Sequence, residues 1–152
     1  MDGYDTLIET LNRFERSLDS ATPITTVAEL AQTSGYSAHH FSRLFYSHTS
    51  LHLKEYLQGR LLTSLMMEAA RCDISFAVLA SRYGFRDYET FYRACKNRWN
   101  KNPSHMRKRG LGEGEKQERI HPQRKETSCI LTGQLVHKEA FSLCGLNFFL
   151  GP

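Results

Sequence analysis

The chain repeats itself. Val27-Ala28-Glu29-Leu30-Ala31 and Phe76-Ala77-Val78-Leu79-Ala80 share an alanine, a leucine and a second alanine in register, at an offset of 49 residues. Ala31-x3-Gly35-Tyr36 is matched in that same register by Ala80-x3-Gly84-Phe85. Each copy reads as a short helix, a glycine turn and a second helix. Helices that cross closely need small residues at the contact, a need Ala31 and Ala80 meet. A sharp turn often needs positive φ, which Gly35 and Gly84 adopt readily. The aromatic after each glycine, Tyr36 or Phe85, is placed to anchor its turn to the core.

The surrounding pattern is helical throughout the first two thirds of the chain. Leu7, Ile8, Leu11, Phe14 and Leu18 fall at helical spacing within residues 2–19, and that helix must end before Thr22-Pro23. Thr26-x-x-Glu29 is a capping box for the short helix of the first copy. Ser37 is a good cap for the next, whose apolar face is Phe41, Leu44 and Phe45. A long helix follows from about Leu53 to Arg71, with a seam of Leu53, Leu57, Leu61, Leu65 and Ala69. In the second copy the corresponding helix starts one residue later, capped by Asp87, and buries Phe91, Ala94 and Cys95. Asn102-Pro103 opens a last short helix with proline at its first position.

Charge divides the chain in the same places. Residues 1–35 carry 2 basic and 6 acidic side chains, residues 36–110 carry 13 and 5, and residues 111–152 carry 5 of each. The duplicated region is therefore at +8 between segments of −4 and zero, an electrostatic footprint for a polyanion or, more plainly, a solvated charged surface. No apolar run of about 18 residues exists to span a membrane, and the acidic start is unlike a signal peptide. Four cysteines without a C-x-x-C pair suggest reduced thiols, and the expected location is cytoplasmic. Cys72 and Cys95 are expected to be buried and inert. His48-x3-His52 has metal-ligand spacing but no cysteine or carboxylate partner nearby, and His39-His40 should place one ring toward solvent and one inward. No nucleophile, carboxylate pair or phosphate loop appears, so no catalysis and no cofactor are expected.

If the second helix of each unit enters a DNA major groove, its exposed positions read base edges. On the first these are Ala38, His39, Ser42, Arg43 and Tyr46; on the second, Tyr88, Glu89, Tyr92, Arg93 and Lys96. Arg43 and Arg93 stand 50 apart at equivalent points, each able to make paired bonds to guanine O6 and N7.

These residues resemble the AraC/XylS family of bacterial transcription regulators over about residues 4–109. The resemblance rests on Ala31-x3-Gly35-Tyr36-Ser37, Phe41-Ser42-Arg43-Leu44-Phe45, Tyr56 with Arg60, and Ile74 before Leu79-Ala80. It continues through Tyr83-Gly84-Phe85, Phe91-Tyr92-Arg93-x2-Lys96 and Pro103-x3-Arg107. It implies an all-α domain of seven helices over residues 1–109, with two helix-turn-helix units joined by a long helix and docked in successive major-groove segments. Double-stranded DNA bound by a monomer, and RNA polymerase, are the implied partners. Ser37, Arg60, Asp87 and Arg107 join the expected DNA-facing set. The chain departs from the family at Thr49 or Ser50 and near Asn100, where glycine is common, and at Cys95, where phenylalanine is common; Trp99 is the expected filler of that space.

A joining helix of about 19 residues is about 28 Å long, against roughly 34 Å between successive major-groove faces. The expectation is bent DNA, or engagement by the first unit alone. Residues 110–126 read as a flexible linker rich in glycine and charge, and residues 127–152 as a β-prone tail faintly resembling the start of a GyrI-like effector domain, cut short. Its apolar residues, Phe141 to Leu150, are expected to favour self-association. Two other functions fit the residues: a non-specific DNA-coating protein, and a truncated module that titrates polymerase without binding DNA.

Overall fold

The computed structural model describes residues 2–124. Seven α-helices follow in order: α1 (Gly3–Ser17), α2 (Val27–Gln32), α3 (Ala38–Thr49), α4 (Leu53–Arg71), α5 (Phe76–Arg82), α6 (Tyr88–Trp99) and α7 (Pro103–Arg109). A single 3-10 turn at Glu113–Glu115 comes after them, and there is no strand among the described residues. The all-α, seven-helix expectation holds. The β-prone segment and its apolar residues lie outside the described residues, as do Cys129 and Cys144.

Local chemistry sets the boundaries. Asp2 accepts from the Tyr4 amide to open α1, and Thr26 and Glu29 form the expected reciprocal capping box at α2. Ser37, Ser75, Asp87 and Asn102 each accept a hydrogen bond from an otherwise orphaned amide at the start of α3, α5, α6 and α7. The two glycine turns have φ of +73° at Gly35 and +80° at Gly84.

Helix α4 is the spine. It packs against α2, α3, α5 and α7, so its apolar residues wrap much of its circumference. Leu53, Tyr56, Leu57, Leu61, Leu62, Leu65, Met66 and Ala69 are all buried. Phe14, Phe41 and Phe45 fill the core of the first unit beside α1. In the second unit Phe91 is ringed by Phe76, Phe85 and Tyr88 at centroid distances of 5.4, 5.7 and 6.0 Å. Cys95 is fully buried in the same core, and Trp99 is only half-buried.

The family departures at the helix ends have a backbone cause. Ser50 and Asn100, which follow α3 and α6, are the two non-glycine residues with positive φ among those described, at 59° and 53°. Both helices close in the left-handed conformation that glycine adopts at least cost. Ser50→Gly is expected to raise unfolding stability by about 1 kcal/mol, and Asn100→Gly by less, because asparagine tolerates this region better. A shift of the urea midpoint at unchanged slope measures it.

Residues 110–124, the described part of the expected 110–126 linker, lie docked as a strap. From Gly110 the chain crosses from the end of α7 over α4 to α1. Glu115 receives Lys101 Nζ at 2.5 Å and Arg109 Nη2 at 2.6 Å, and its backbone carbonyl accepts from Trp99 Nε1 at 2.8 Å. Gln117 N donates to the buried Thr63 hydroxyl at 3.0 Å, and Ile120 N to the Tyr56 hydroxyl at 3.3 Å. At the far end Pro122 is buried, its carbonyl accepting from Tyr4 at 2.9 Å, and Arg124 pairs with Asp2. The Lys101 ammonium, the Gly112 amide and the Arg109 guanidinium hold the Glu115 carboxyl down at about 2.

Candidate nucleic-acid interface

Helices α3 and α6 are built to one plan. Each has 12 residues, starts from a side-chain cap at Ser37 or Asp87 and closes on a left-handed residue, with every element offset by 50. The buried faces correspond: Phe41 and Phe45 in α3, Phe91 and Cys95 in α6, with Ala94 beside them. Between the first and second helices of each unit the offset changes from 49 to 50. Arg86 is the extra residue in the second turn.

The opposite faces are exposed and polar. On α3, His39, Arg43 and Tyr46 lie in solvent, with Ser42 half-buried. Arg43 makes no ion pair or hydrogen bond among the described residues, so its guanidinium is available. Tyr46 is half exposed and stacks on His52 at 5.3 Å. The Ser42 hydroxyl donates to the Ala38 carbonyl at 2.7 Å, leaving its oxygen lone pairs for an outside donor. On α6, Tyr88, Glu89 and Arg93 are exposed, and Tyr92 and Lys96 half-buried. Arg93 is 73% exposed but its Nε meets Glu89 Oε1 at 3.0 Å, an i,i+4 pair on the outward face. Lys96 lies 5.9 Å from the Tyr92 ring centroid.

Four expected DNA contacts have other employment. Arg60 is the most fully engaged. Its guanidinium pairs with Glu15, 3.0 Å from Nε, and donates from Nη1 to the Gln117 carbonyl at 2.6 Å; only 16% of its side chain is exposed. Placed mid-way along α4, it faces α1 and the strap. Arg107 caps the α4 C-terminus by donating to the Cys72 carbonyl at 2.6 Å, pairs with Asp73 at 3.2 Å, and lies 5.3 Å from the Phe76 ring centroid. The Ser37 hydroxyl is held by the His40 amide. Asp87 accepts from the Thr90 hydroxyl and amide, both at 2.7 Å, and from Arg86 at 2.9 Å, which holds its carboxyl down at about 2. Its contribution to α6 is therefore complete above the ordinary carboxyl range and lost as pH falls toward about 2.

The histidines and cysteines also resolve. His40 packs on Tyr36 at 4.6 Å and is exposed like His39, so neither ring points inward. His48 reaches the Gln123 carbonyl at 3.2 Å while His52 stacks on Tyr46, so the two face different partners. Cys95 is buried as expected, its thiol pushed up to about 12 by burial, but Cys72 is exposed at the end of α4.

A family model described as a helix-turn-helix domain matches residues 30–109, from within α2 to the end of α7. The chain belongs to the AraC/XylS family. It is 30% identical over 117 residues to the multiple antibiotic resistance protein MarA of Escherichia coli K12, covering 77% of this chain and 88% of that one. It is also similar to the "Probable transcription factor PqrA" of Proteus vulgaris, at 33% identity over 81 residues, 53% of this chain and 66% of that one. The TetD protein of transposon Tn10 matches at 31% over 87 residues, 57% and 63% of the two chains. This AraC/XylS protein is accordingly a DNA-binding transcription regulator and not an enzyme. Among its described residues no helix is long and apolar enough to cross a membrane.

Proposed function

We propose that this AraC/XylS protein recognises a specific duplex sequence as a monomer, with α3 and α6 in successive major-groove segments on one face of the DNA. The observation that carries the reading is the matched pair of capped 12-residue helices, each presenting an arginine at the same point of its exposed face. His39, Ser42, Arg43 and Tyr46 form the first reading set, and Tyr88, Glu89, Tyr92, Arg93 and Lys96 the second, with Ser37 and Asp87 lying at the phosphate edge of each helix. Arg43 is the principal base reader, taking guanine O6 and N7. The family resemblance extends the reading to RNA polymerase as a second partner during activation.

The 19-residue spine is about 28 Å long, shorter than the roughly 34 Å between groove faces, so the duplex bends toward the protein when both helices engage. The Glu89–Arg93 pair favours a division of labour. Arg93 keeps both Nη groups for a guanine but carries the Glu89 carboxylate, which repels phosphate, beside it, while Arg43 has no such neighbour among the described residues.

A binding competition between a selected site and random duplex at fixed salt tests the proposal. Arg43→Ala is expected to weaken the selected site by about 10-fold or more, the worth of one paired arginine–guanine contact, and random DNA far less. Arg93→Ala should lose less than Arg43→Ala, and Glu89→Ala should tighten binding. Equal losses on both DNAs, with the salt slope changed by about one charge, would favour the non-specific coating protein instead. Absence of binding to either would favour the polymerase-titrating module.

A further inference from the structure

We propose that the strap of residues 110–124 is a brace that sets the spacing between the two reading helices, with Glu115, Gln117 and Arg124 as positioning residues for DNA recognition. The inference rests on the two-helix reading above.

The strap touches the second unit, the spine and the first unit in turn. At the second unit, Glu115 ties Lys101, just before α7, to Arg109, its last residue, and takes the indole N–H of Trp99 at the end of α6. Arg98, also on α6, donates to Gln117 Oε1 at 2.8 Å. At the spine, Gln117 is held from both sides of its backbone, its amide on Thr63 and its carbonyl on Arg60. Ile120 then takes up the Tyr56 hydroxyl. At the first unit, Arg119 pairs with Asn12, Pro122 with Tyr4, Gln123 with His48 near the end of α3, and Arg124 with Asp2. One continuous peptide is thus fixed to α6, α4, α1 and α3.

Such a tie matters because the helices of the two units share α4 as their common support. Other links between the units run through the α5–α6 turn, where Gly84 meets Thr25 and Arg82 donates to the Ser20 carbonyl at 2.7 Å. The strap adds attachments that start beside the ends of both reading helices, at Trp99 and at His48. It leaves the faces bearing Arg43 and Arg93 uncovered.

The experiment uses the full chain and a selected two-segment site, the same site with one base pair inserted between the segments, and a duplex holding the first segment alone. Wild type should bind the expanded site at least 10-fold more weakly than the intact one. In the Glu115→Ala/Arg124→Ala double variant, which removes the ion pairs at both ends of the strap and leaves only neutral bonds to its carbonyls there, that penalty should shrink to about 2-fold or 3-fold. Its affinity for the single segment should stay at the wild-type level. Gln117→Ala, which removes the Arg98 link and a long bond to the Glu118 carbonyl within the strap, should fall between. An insertion penalty unchanged in the double variant overturns the brace. So does a loss on the single segment equal to the loss on the intact site, because the strap then only stabilises the first unit. A wild type indifferent to the inserted base pair would instead refute two-helix docking itself.

Discussion

Glu15→Ala is expected to lower the unfolding stability by about 3 kcal/mol, roughly 10 °C in melting temperature for a domain of this size. Glu15 and Arg60 are only 10% and 16% exposed at their side chains, and the carboxylate also accepts from the Tyr56 hydroxyl at 2.9 Å. Removing it strands a largely buried guanidinium and a buried phenol at once. The desolvation cost of both remains while their partner is gone. Arg60 would retain only the Gln117 carbonyl. Thermal melts followed by circular dichroism measure the effect, and a Glu15→Ala/Arg60→Met double variant should recover part of the loss. If Glu15→Ala melts within 2 °C of wild type, the pair contributes little to the fold and Arg60 is free to serve DNA contact.

Gly84→Ala should cost a similar amount, about 3 kcal/mol, for two additive reasons. The φ of +80° imposes the left-handed penalty of about 1–2 kcal/mol on any side chain. A Cβ built there would also lie 2.5 Å from the Thr25 Cβ, so the loop before α2 must move, adding about 1–3 kcal/mol of overpacking strain. Thr25→Ala would not relieve the clash, because the nearest atom is that Cβ itself. The sister substitution supplies the control. Gly35 has φ of +73° but nothing within 4 Å of its would-be Cβ, so Gly35→Ala should cost only the backbone term, about 1 kcal/mol. Denaturant midpoints of the two variants decide it; equal midpoints would mean that the Thr25 contact yields freely.

The helices and their ends were legible because their signals are local. Caps at Ser37 and Asp87 and the box at Thr26 and Glu29 act within three residues, and the apolar seam of α4 repeats along its own axis. The role of Arg60 was not legible, since its partner Glu15 is 45 residues away and no periodicity links them. The docking of the strap was not legible for a related reason. Its glycines and charges have the composition of a linker, yet it is held by backbone amides, carbonyls and long polar side chains that leave no hydrophobic pattern. The Glu89–Arg93 pair was within reach, because an i,i+4 spacing of opposite charges on a helix is a local signal. Left-handed closure at Ser50 and Asn100 was hinted at only by the missing family glycines.

The extra residue Arg86 in the second turn, with the unlike outward faces that follow it, has a consequence on the scale of the promoter. A symmetric dimer grips an operator the same way round from either side. If α3 and α6 both engage as proposed, two non-identical heads on a single polypeptide give the bound molecule a heading, upstream or downstream. Inverting its operator in place would then turn the same surfaces away from whatever machinery waits at the start of the gene, with the grip itself untouched.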